Sequence, residues 1–449
     1  MTEFEPEPDV PSGSPRSKHR HHGTGRLLMR DVDPDALKVV RKLLTGGHEA
    51  YLVGGCVRDL YLRRKPKDFD VATSATPESI RKSFRNSRII GRRFKLAHVF
   101  FGSKIIETST FRTAPTSRAG DDDRLITHDN EWGNIVDDAF RRDFTINGLF
   151  FDVPTNTIVD FVDGLHDLDR GVIRTIGDPV VRFQEDPVRM IRAIKFAARL
   201  DFTIEDATWR ALLETTSDIA KCSRARVLEE LYKILRGGAA RRSVELMLET
   251  GLLDAITPQY MALHSGRPAR ARLDPWLWEL LDALDEFTVH TEQVAGNGVL
   301  LAVLFAPLID PSWAEGSRSG FDRRIEQLMT DFCVSLGVAR RDRELARQIL
   351  MAHHHMVDPL EGRRRRRRPT MVQRQYFHDA LVFFGVTARA RASGGSELQY
   401  WLKLASAQRQ RRDTEPTNSR KKRRRRGRSR KRGDKGNQGP KPSTPAAHG

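Results

Sequence analysis

Cysteine is scarce in this chain, which holds three among its 449 residues, at Cys56, Cys222 and Cys333. Because the three are odd in number and far apart in the sequence, they argue against a disulfide framework. Unpaired cysteines are typical of proteins kept in a reducing compartment. We therefore expect a cytoplasmic protein.

Long apolar segments are also missing. The start of the chain has no apolar run of the kind found in export signals. The longest apolar run, residues 299–309, has about half of the residues that a helix needs to cross a bilayer. Such a run is typical of a buried helix, so we expect no transmembrane segment.

Basic residues, by contrast, are abundant, and the formal net charge is +18. Residues 409–449 hold 16 Lys or Arg against three acidic residues, and a second block consists of Arg363, Arg364, Arg365, Arg366, Arg367 and Arg368. The rest of the chain is close to neutral. Blocks of like charge usually contact nucleic acid or another anionic surface. We expect a fixed RNA contact from the six-arginine block, and from the tail either a flexible electrostatic arm or a nonspecific solvated segment.

Composition and periodicity divide the chain into five parts. Residues 1–25 and 409–449 are too polar to build a core and are predicted to be disordered. Residues 26–175 mix strand and helix signals, as in a small α/β unit. Beyond them strand signals vanish, and amphipathic helices fill residues 176–240 and 241–408. We predict an α+β fold in which a small mixed-sheet domain precedes an all-helical remainder.

The mixed-sheet region has a definite predicted order of elements. Strand signals fall at residues 50–53, 68–73, 96–101 and 105–110, and helix signals at 57–62, 77–84 and 139–148. Residues 149–153 and 157–161 form a predicted hairpin around a Pro-Thr-Asn turn. Most of the candidate functional residues lie on these elements.

Two aspartates, Asp68 and Asp70, follow the glycine pair Gly54-Gly55 along the chain. On a strand, side chains at i and i+2 share one face, about 7 Å apart along the backbone. Two carboxylates held in this way can bridge a pair of divalent cations about 3.5–4 Å apart. A glycine turn lets phosphate approach the backbone. The pattern predicts metal-dependent chemistry on a nucleoside triphosphate, and two solvated turn acids are the alternative.

Glu107 is the candidate for a third metal ligand. Two octahedral magnesium ions need further oxygen ligands, and Glu107 lies midway along an otherwise apolar strand, KIIETSTFR. An acid in that position is costly to bury unless it binds something. The alternative is a surface acid on an edge strand.

A second patch reads RRDFTIN, at residues 141–147. On a helix, Arg142, Asp143 and Asn147 would lie about one turn apart. An arginine can grip phosphate oxygens as a fork, while Asp and Asn can bind ribose hydroxyls. The alternative is a salt bridge on a helix surface.

A third patch, EDPVRMIRA at residues 185–193, predicts a helix. Glu185, Arg189 and Arg192 line one stripe of this helix, with Asp186 at its edge. An Asp and an Arg three residues apart can present acceptors and donors to the edge of a nucleobase. An intrahelical pair between Glu185 and Arg189 is an equally good interpretation, and both can hold.

In this order the patches resemble the motifs of the class II nucleotidyltransferases, which comprise tRNA CCA-adding enzymes and bacterial poly(A) polymerases. The segment with Gly-Gly, Arg-Asp and Asp-Phe-Asp resembles the first motif, and RRDFTIN and EDPVRMIRA resemble two later ones. The resemblance is strong over residues 26–240 and looser in the helical remainder. It implies a catalytic head at residues 26–175, a neck at 176–240 and a body at 241–408.

The resemblance implies a role for each patch. Asp68, Asp70 and Glu107 would bind two Mg²⁺ ions, or Mn²⁺ in their place. The nucleotide would be held by Gly54, Gly55 and Arg58 at the triphosphate, by Arg142, Asp143 and Asn147 at phosphate and ribose, and by Asp186 and Arg189 at the base, with Arg192 beside them.

The segment IIGRRFKLAHV, residues 89–99, distinguishes the two branches of this family. It resembles the signature of the poly(A) polymerase branch, as does the arginine-rich C-terminal region. We find no His-Asp phosphohydrolase segment of the sort that some CCA-adding enzymes carry. The predicted RNA contacts are Arg92, Arg93 and Lys95, together with the six-arginine block.

The resemblance implies template-independent addition of AMP from ATP to single-stranded RNA 3′ ends, in RNA processing and decay. RNA chaperones and RNA-decay proteins are further candidate partners, and a monomer is expected. A CCA-adding enzyme is the nearest alternative, and a noncatalytic RNA-binding adaptor is the alternative from another class. A DNA polymerase is disfavoured, because Asp143 and Asn147 suit a ribose hydroxyl.

Overall fold

The structure is a computed structural model that describes residues 20–23, 27–91, 95–113, 131–265, 272–291, 293–310, 312, 317–357 and 371–414. The chain divides into two compact units, residues 1–347 and residues 348–449. Across the described ranges, no helix is both long enough and apolar enough to cross a membrane.

An eight-stranded sheet organises the beginning of the first unit. Its strands are β1 (Arg20–Gly23), β2 (Ala50–Val53), β3 (Asp70–Thr73), β4 (Ser87–Ile90), β5 (Leu96–Phe101), β6 (Lys104–Thr110), β7 (Leu149–Asp152) and β8 (Thr157–Asp160). Their spatial order is β1-β8-β7-β2-β3-β6-β5-β4. Neighbours are antiparallel, except that β3 and β6 run parallel. Strands β2, β3 and β6 therefore lie side by side at the centre of the sheet.

Short helices flank this sheet: α1 (Pro34–Thr45), α2 (Gly55–Tyr61), α3 (Pro77–Ser83) and α4 (Ile135–Phe140). Helix α1 begins where the Asp33 side chain accepts hydrogen bonds from the backbone amides of Asp35 and Ala36, which satisfies free donors of its first turn. Its buried Val39 and Leu43 recur at helical spacing. Helices α1 and α3 contact one face of the sheet.

A cluster of buried apolar side chains packs against the central strands of the sheet. Val53, Ala72 and Phe150 from the central strands pack there with Ala139 of α4. Along β6 the buried and exposed residues alternate, as expected for a strand with one covered face. Glu107 is exposed by this alternation, on the face of the sheet where the candidate site lies.

Helices form most of the remaining first unit. In chain order they are α5 (Gly164–Arg170), α6 (Pro179–Glu185), α7 (Val188–Leu200), α8 (Asp206–Thr215), α9 (Arg224–Leu235), α10 (Ala240–Glu249), α11 (Leu252–Ile256), α12 (Pro258–Ala262), α13 (Pro275–His290), α14 (Asn297–Phe305) and α15 (Arg318–Ser335). Two short strands, β9 (Val172–Ile173) and β10 (Thr203–Ile204), pair in parallel. The prediction of no strands in the helical remainder is therefore wrong for β10.

The second unit contains the end of α16 (Arg340–Val357), then α17 (Phe377–Ala390) and α18 (Gly395–Thr414). Trp401 is almost fully buried, and its indole N–H donates to the backbone carbonyl of Met356 at 3.1 Å. His353 Nε2 lies 2.9 Å from the hydroxyl of Thr387, which itself donates to the Phe384 carbonyl. His353 is therefore the donor in this pair, and the contacts join α16, α17 and α18.

The predicted helix at residues 139–148 is wrong. Helix α4 ends at Phe140, a turn follows, and a 3₁₀ turn covers Thr145–Asn147. The carboxylate of Asp143 accepts hydrogen bonds from the next backbone amide and from the Asn147 side chain. Such local bonds from an Asp compete with helix formation, so the patch is held in a bend.

The continuous helix predicted over residues 185–193 is also interrupted. Helix α6 ends at Glu185, Asp186 has φ −150°, and Pro187 caps the start of α7. A proline disfavours helical conformation in the residue before it, which explains the break. The strand predicted at 68–73 begins two residues later, at Asp70, while those at 50–53 and 96–101 are confirmed.

Candidate active site

The glycine pair forms the turn between β2 and α2. Gly54 has φ +70° and ψ −126°, a conformation that glycine adopts without strain. A Cβ atom on Gly54 would also lie 3.1 Å from Nη1 of Arg142. The amide of Gly54 donates to the carbonyl of Leu149 in β7. The bare backbone of the turn is thus held against a guanidinium group, an arrangement that suits a phosphate.

Two acids lie on neighbouring strands beside this turn. Asp70 begins β3 and pairs in register with Val53 of β2 on one side and with Glu107 of β6 on the other. Asp68 is exposed in the segment just before β3. Opposite Glu107, His98 of β5 has its Nε2 atom 3.5 Å from the Glu107 carboxylate. The register of the sheet brings Asp70 and Glu107 together.

The Asp70 carboxyl group has an unusual environment. Burial raises its pKa to about 6, Glu107 adds to the rise, Arg142 opposes it, and Asp68 adds a smaller rise. Hard divalent cations prefer such oxygen ligands, and their charge offsets the repulsion between carboxylates. Within the described ranges, no group of three or more His, Cys, Asp and Glu side chains is already arranged to hold a metal ion. The donors fit a divalent cation by their chemistry, and the three-carboxylate site stays a prediction.

Arg142 is fixed by an acid that the sequence did not single out. Its Nη2 and Nε atoms donate to one carboxylate oxygen of Asp138 at 2.8 and 3.2 Å. Asp138 also accepts from Arg141. Burial alone would raise the pKa of Asp138, but Arg142 and Arg141 hold it below its usual value. A guanidinium held in this way needs little reordering to meet an anion.

A chain of buried polar groups joins α2, the 3₁₀ turn and α7. Arg58 donates to Oδ1 of Asn147 at 2.6 Å, and the amide nitrogen of Asn147 donates to Asp143 at 3.0 Å. Asp143 also accepts from Arg192 at 2.7 Å. Burial alone would raise the pKa of Asp143, but Arg192 and these hydrogen bonds lower it to about 2. The predicted phosphate and ribose ligands thus bind one another, and their nucleotide-binding roles stay predictions.

The two predicted base-reading side chains, Asp186 and Arg189, have different partners within the protein. The carboxylate of Asp186 accepts two hydrogen bonds of 2.8 Å from Arg226 of α9. Arg189 instead donates to the carboxylate of Glu185 at 3.0 Å and to the carbonyl of Arg182 at 2.8 Å. The alternative pair between Glu185 and Arg189 is therefore present. The backbone amide of Arg189 donates to the carbonyl of Asp186 at 2.9 Å, so the two residues stay within one turn, and their role toward a base stays a prediction.

Phe196 of α7 is a further contact that sequence reasoning missed. Three cations lie over its ring, with distances to the ring centroid of 5.0 Å for Arg58, 5.4 Å for Arg192 and 5.0 Å for Lys195. Its position on a helical core face predicts burial alone.

The spacing of Asp138 and Arg142 at i and i+4 was an available signal for that pair. Arg226 lies 40 residues from its partner Asp186 in the sequence, so no local pattern predicted their ion pair.

The predicted RNA contacts are described only in part. Lys95 is exposed directly before β5, and its backbone carbonyl accepts a hydrogen bond from Arg112 at 3.1 Å. Arg92, Arg93 and the six-arginine block lie outside the described residues. The RNA-binding role of all of them stays a prediction.

Two protein families match this chain. The family described as Poly A polymerase head domain matches residues 50–174, which contain the glycine turn and the three acids. A second family, described as Probable RNA and SrmB- binding site of polymerase A, matches residues 201–263.

Curated relatives extend the similarity over most of the chain. Poly(A) polymerase I of Escherichia coli O6:H1 is 35% identical over 407 residues, which cover 87% of this chain and 84% of the relative. Poly(A) polymerase I of Salmonella typhi is 36% identical over 403 residues, covering 86% and 83%. The CCA-adding enzyme of Lactobacillus helveticus is 38% identical over 256 residues, covering 56% and 63%.

Solved structures share the fold. The Bacillus stearothermophilus CCA-adding enzyme in complex with CTP has a TM-score of 0.61 and 24% identity, covering 84% of this chain and 83% of that one. A tRNA nucleotidyltransferase complexed with a primer tRNA and an incoming ATP analog has a TM-score of 0.54 and 20% identity, covering 82% and 99%. At these identities the likeness shows the fold alone.

The fold and the matching families together define a nucleotidyltransferase. The predicted order of a mixed-sheet head and a largely helical remainder is confirmed. The chain belongs to the poly(A) polymerase I family, since relatives of that name match it at 35% and 36% identity over most of its length.

Proposed function

We propose that this protein adds AMP from ATP to RNA 3′ ends without a template and releases pyrophosphate. The observation that carries the proposal is the similarity to poly(A) polymerase I relatives over 87% of the chain. The pairing of Asp70 with Glu107 beside the Gly54 turn supports it. Such a reaction belongs to RNA processing and decay.

The residues of the glycine turn and its neighbours would bind the nucleotide. The triphosphate would lie against Gly54 and Gly55, where Arg142 is already oriented by Asp138. Groups that are oriented in advance stabilise developing charge better than groups that must reorganise. The base would face the junction of α6 and α7, where Arg226 fixes the carboxylate of Asp186.

Asp68, Asp70 and Glu107 would hold the divalent cations, for which we propose magnesium, with manganese as a substitute. When bound, the cations would lower the pKa of the RNA 3′-hydroxyl and neutralise charge on the triphosphate. The 3′-hydroxyl gives up its proton to solvent water, and its oxygen bonds to the α-phosphorus. The bond between the α-phosphorus and the oxygen that bridges to the β-phosphorus breaks, and pyrophosphate leaves. Because the RNA hydroxyl is the nucleophile, no Ser or Cys of the protein is needed.

A CCA-adding enzyme is the second candidate, favoured by the fold it shares with the Bacillus stearothermophilus enzyme. The Lactobacillus helveticus relative covers 56% of this chain, whereas poly(A) polymerase I relatives cover 86% and 87%. The wider coverage supports AMP addition over CCA addition.

An incorporation assay distinguishes the two candidates. The full chain is incubated with magnesium and each of the four nucleotides, once on an unstructured RNA and once on a tRNA that lacks its CCA end. We expect long tails with ATP alone on the unstructured RNA. Incorporation of CTP that is confined to the tRNA would support CCA addition instead, and transfer of no nucleotide would support a noncatalytic RNA-binding protein.

Asp70→Asn tests the proposed catalytic acid. The amide keeps the shape of the side chain but removes a charged ligand, so we expect AMP transfer to fall at least a thousandfold, equivalent to about 4 kcal/mol. RNA binding, measured by fluorescence anisotropy, should be unchanged. Glu49→Gln, which removes an exposed acid next to β2, is the control and should keep full activity. Near-normal transfer by D70N would contradict the metal-binding role.

We also propose that the protein acts as a monomer in the cytoplasm, on single-stranded RNA. Light scattering of the purified chain tests the oligomeric state, and a dimer at working concentrations would contradict it. An RNA chaperone or an RNA-decay protein is the proposed kind of helper, to be sought by comparing tail length on one RNA with and without each purified helper.

A further inference from the structure

A cavity lies at the segment that leads from α2 into the catalytic strand β3. It has a volume of about 520 Å³, and it is lined by Leu28, Asp31, Leu60, Arg63, Arg64, Lys65 and Pro66. That volume is within the range of ordinary ligand sites. Three consecutive basic residues, Arg63, Arg64 and Lys65, contribute to its wall. We call it the cationic pocket.

The positive charge of the cationic pocket is largely uncompensated. In the part of the chain that the structure describes, Arg63 and Lys65 form no ion pair, and both are exposed. Asp31 is the acidic residue among those that line the pocket, and it lies 3.9 Å from Nε of the exposed Arg30. Three basic residues and one acid line the cavity, so its wall has a net positive charge that favours an anion.

The backbone at the cationic pocket is strained. Arg63 has φ +56°, a region that a residue with a long side chain occupies rarely and at a cost. Its amide donates to the carbonyl of Leu60 at 2.9 Å. With the hydrogen bond from the Arg64 amide to the Asp59 carbonyl, this left-handed residue closes the C-terminus of α2 in a Schellman motif. The turn places Arg63 in the wall of the pocket.

The same segment is held in place at both ends. The backbone amide of Arg64 donates to the carbonyl of Asp59 at 2.7 Å, and Asp59 pairs with the buried Arg58. The guanidinium of Arg64 donates to the carbonyl of Arg199 at 3.1 Å, at the end of α7. Pro66 is buried. The cationic pocket is therefore preformed, and it is joined to the network around Asn147 and Asp143.

The cationic pocket is close to the proposed catalytic acids. Lys65 precedes Asp68 by three residues, so their Cα atoms are at most about 11 Å apart even in a fully extended chain. Lys67, also exposed and without an ion pair among the described residues, lies between them. A polyanion whose end is at Asp68 and Asp70 can therefore reach the pocket with its neighbouring phosphates.

We propose that the cationic pocket binds backbone phosphates of the RNA substrate, just upstream of its 3′ end, through Arg63 and Lys65. The proposal rests on the proposed function, because a growing RNA end is what would lie at the catalytic acids. Arg63 and Lys65 donate charge-assisted hydrogen bonds to phosphodiester oxygens, and the exposed Leu28 offers an apolar wall beside them. Contacts of this kind hold RNA of any sequence.

The test uses Arg63→Ala/Lys65→Ala in the full chain, with a short 5′-fluorescein oligoadenylate as the probe. RNA binding is measured by anisotropy in the D70N background, so that no turnover occurs. We expect the Kd to rise about tenfold, as for the loss of two charge-assisted contacts. The slope of log K against log salt should fall by about 1.4, since each phosphate contact in a single strand contributes about 0.7.

Two further variants separate a local contact from general charge and from folding. Arg81→Ala/Lys82→Ala removes the same charge from exposed positions of α3 and should leave the Kd within about twofold. Arg63→Gly removes one side chain but relaxes the backbone, because glycine adopts φ +56° without strain. It should weaken RNA binding while the unfolding temperature stays equal or rises. An equal loss in the α3 variant, or unchanged binding in both pocket variants, would overturn the proposal.

The source of the phosphate is tested separately. Methylphosphonates, which are uncharged, replace single phosphates near the RNA 3′ end. At one or more positions, the methylphosphonate should weaken binding of the RNA to the parent protein. The same replacement should not weaken binding to R63A/K65A, as in a double-mutant cycle. If the KM for ATP rises in R63A/K65A while RNA binding does not change, the pocket holds the nucleotide, and the RNA assignment is wrong. Absence of AMP transfer by the parent protein would refute the proposed function alone, since these binding comparisons need no turnover.

Discussion

Among single residues, Gly54 combines a positive φ with a close neighbour in the candidate site. Its φ of +70° disfavours any other residue, and a Cβ would contact Arg142 at 3.1 Å. The motif predicted a phosphate-binding turn, and the structure shows that Arg142 lies beside that turn. Backbone strain at Gly54 would affect stability, whereas the contact with Arg142 would affect nucleotide binding. Gly102, which has a positive φ but no close neighbour, allows the two effects to be separated.

We predict that Gly54→Ala lowers both stability and the use of ATP. The positive φ should cost about 1–3 kcal/mol of unfolding free energy, and displacement of Arg142 should raise the KM for ATP. Gly102→Ala is the matched control, because Gly102 has φ +61° and its Cβ would meet nothing within 4 Å. The control should lose similar stability, measured by urea denaturation, and keep its KM. Equal KM values in both variants would contradict a role for the contact with Arg142.

Local sequence is enough to place two candidate acids together. Asp68 and Asp70 are two positions apart, so their closeness follows from chain geometry. Glu107 was proposed because an acid interrupts an apolar strand; the structure places it opposite Asp70, and its metal-binding role stays a prediction. Asp138 was missed, although its spacing from Arg142 was visible, because an acid at i and an arginine at i+4 are common on exposed helices.

At the scale of elements, the junction of α6 and α7 interrupts the helix predicted over residues 185–193. The break at Asp186 and Pro187 turns the Asp186 carboxylate toward α9, where Arg226 binds it with two hydrogen bonds. The amide of Arg189 still donates to the carbonyl of Asp186 at 2.9 Å, so the two residues remain within one turn of each other. Their side chains differ in that Asp186 has a partner in α9, whereas Arg189 binds Glu185 and Arg182 of α6.

We predict that Arg226→Ala lowers kcat/KM for ATP at least about tenfold, about 1.4 kcal/mol. Without the two hydrogen bonds from Arg226, the Asp186 carboxylate is free to reorient near the proposed base site. Arg226→Lys keeps the charge but not the forked geometry, and it should recover the loss only in part. Arg224→Ala, at an exposed position of the same helix, is the control. If R226A and R224A behave alike, the pair between Arg226 and Asp186 has no part in nucleotide use.

On the scale of the whole molecule, the charge distribution sets the expected behaviour toward RNA. The formal charge of +18 is concentrated in two blocks, and the remainder is close to neutral. Binding of a polyanion through such blocks depends steeply on salt, because counterions are released. The cationic pocket would add a smaller local contribution close to the catalytic acids.

Replacing the six arginines, Arg363 to Arg368, with glutamine should reduce the salt dependence of RNA binding. If all six contact phosphates, the slope of log K against log salt falls by about 4. Replacement of the same six by lysine keeps the charge and should preserve the slope. The measurement is anisotropy of a labelled single-stranded RNA over a series of salt concentrations. A slope that glutamine leaves unchanged would exclude the block as an RNA contact.

The type of chemistry, the class of fold and the location of charge could all be predicted from the sequence. These follow from neighbours along the chain: a glycine turn, two aspartates with one residue between them, and runs of arginine. The tertiary structure alone decided the contact of Gly54 with Arg142, the partner of Asp186 and the polar chain from Arg58 to Arg192. Strand register and helix packing bring together residues far apart in the chain, and no local pattern encodes those distances.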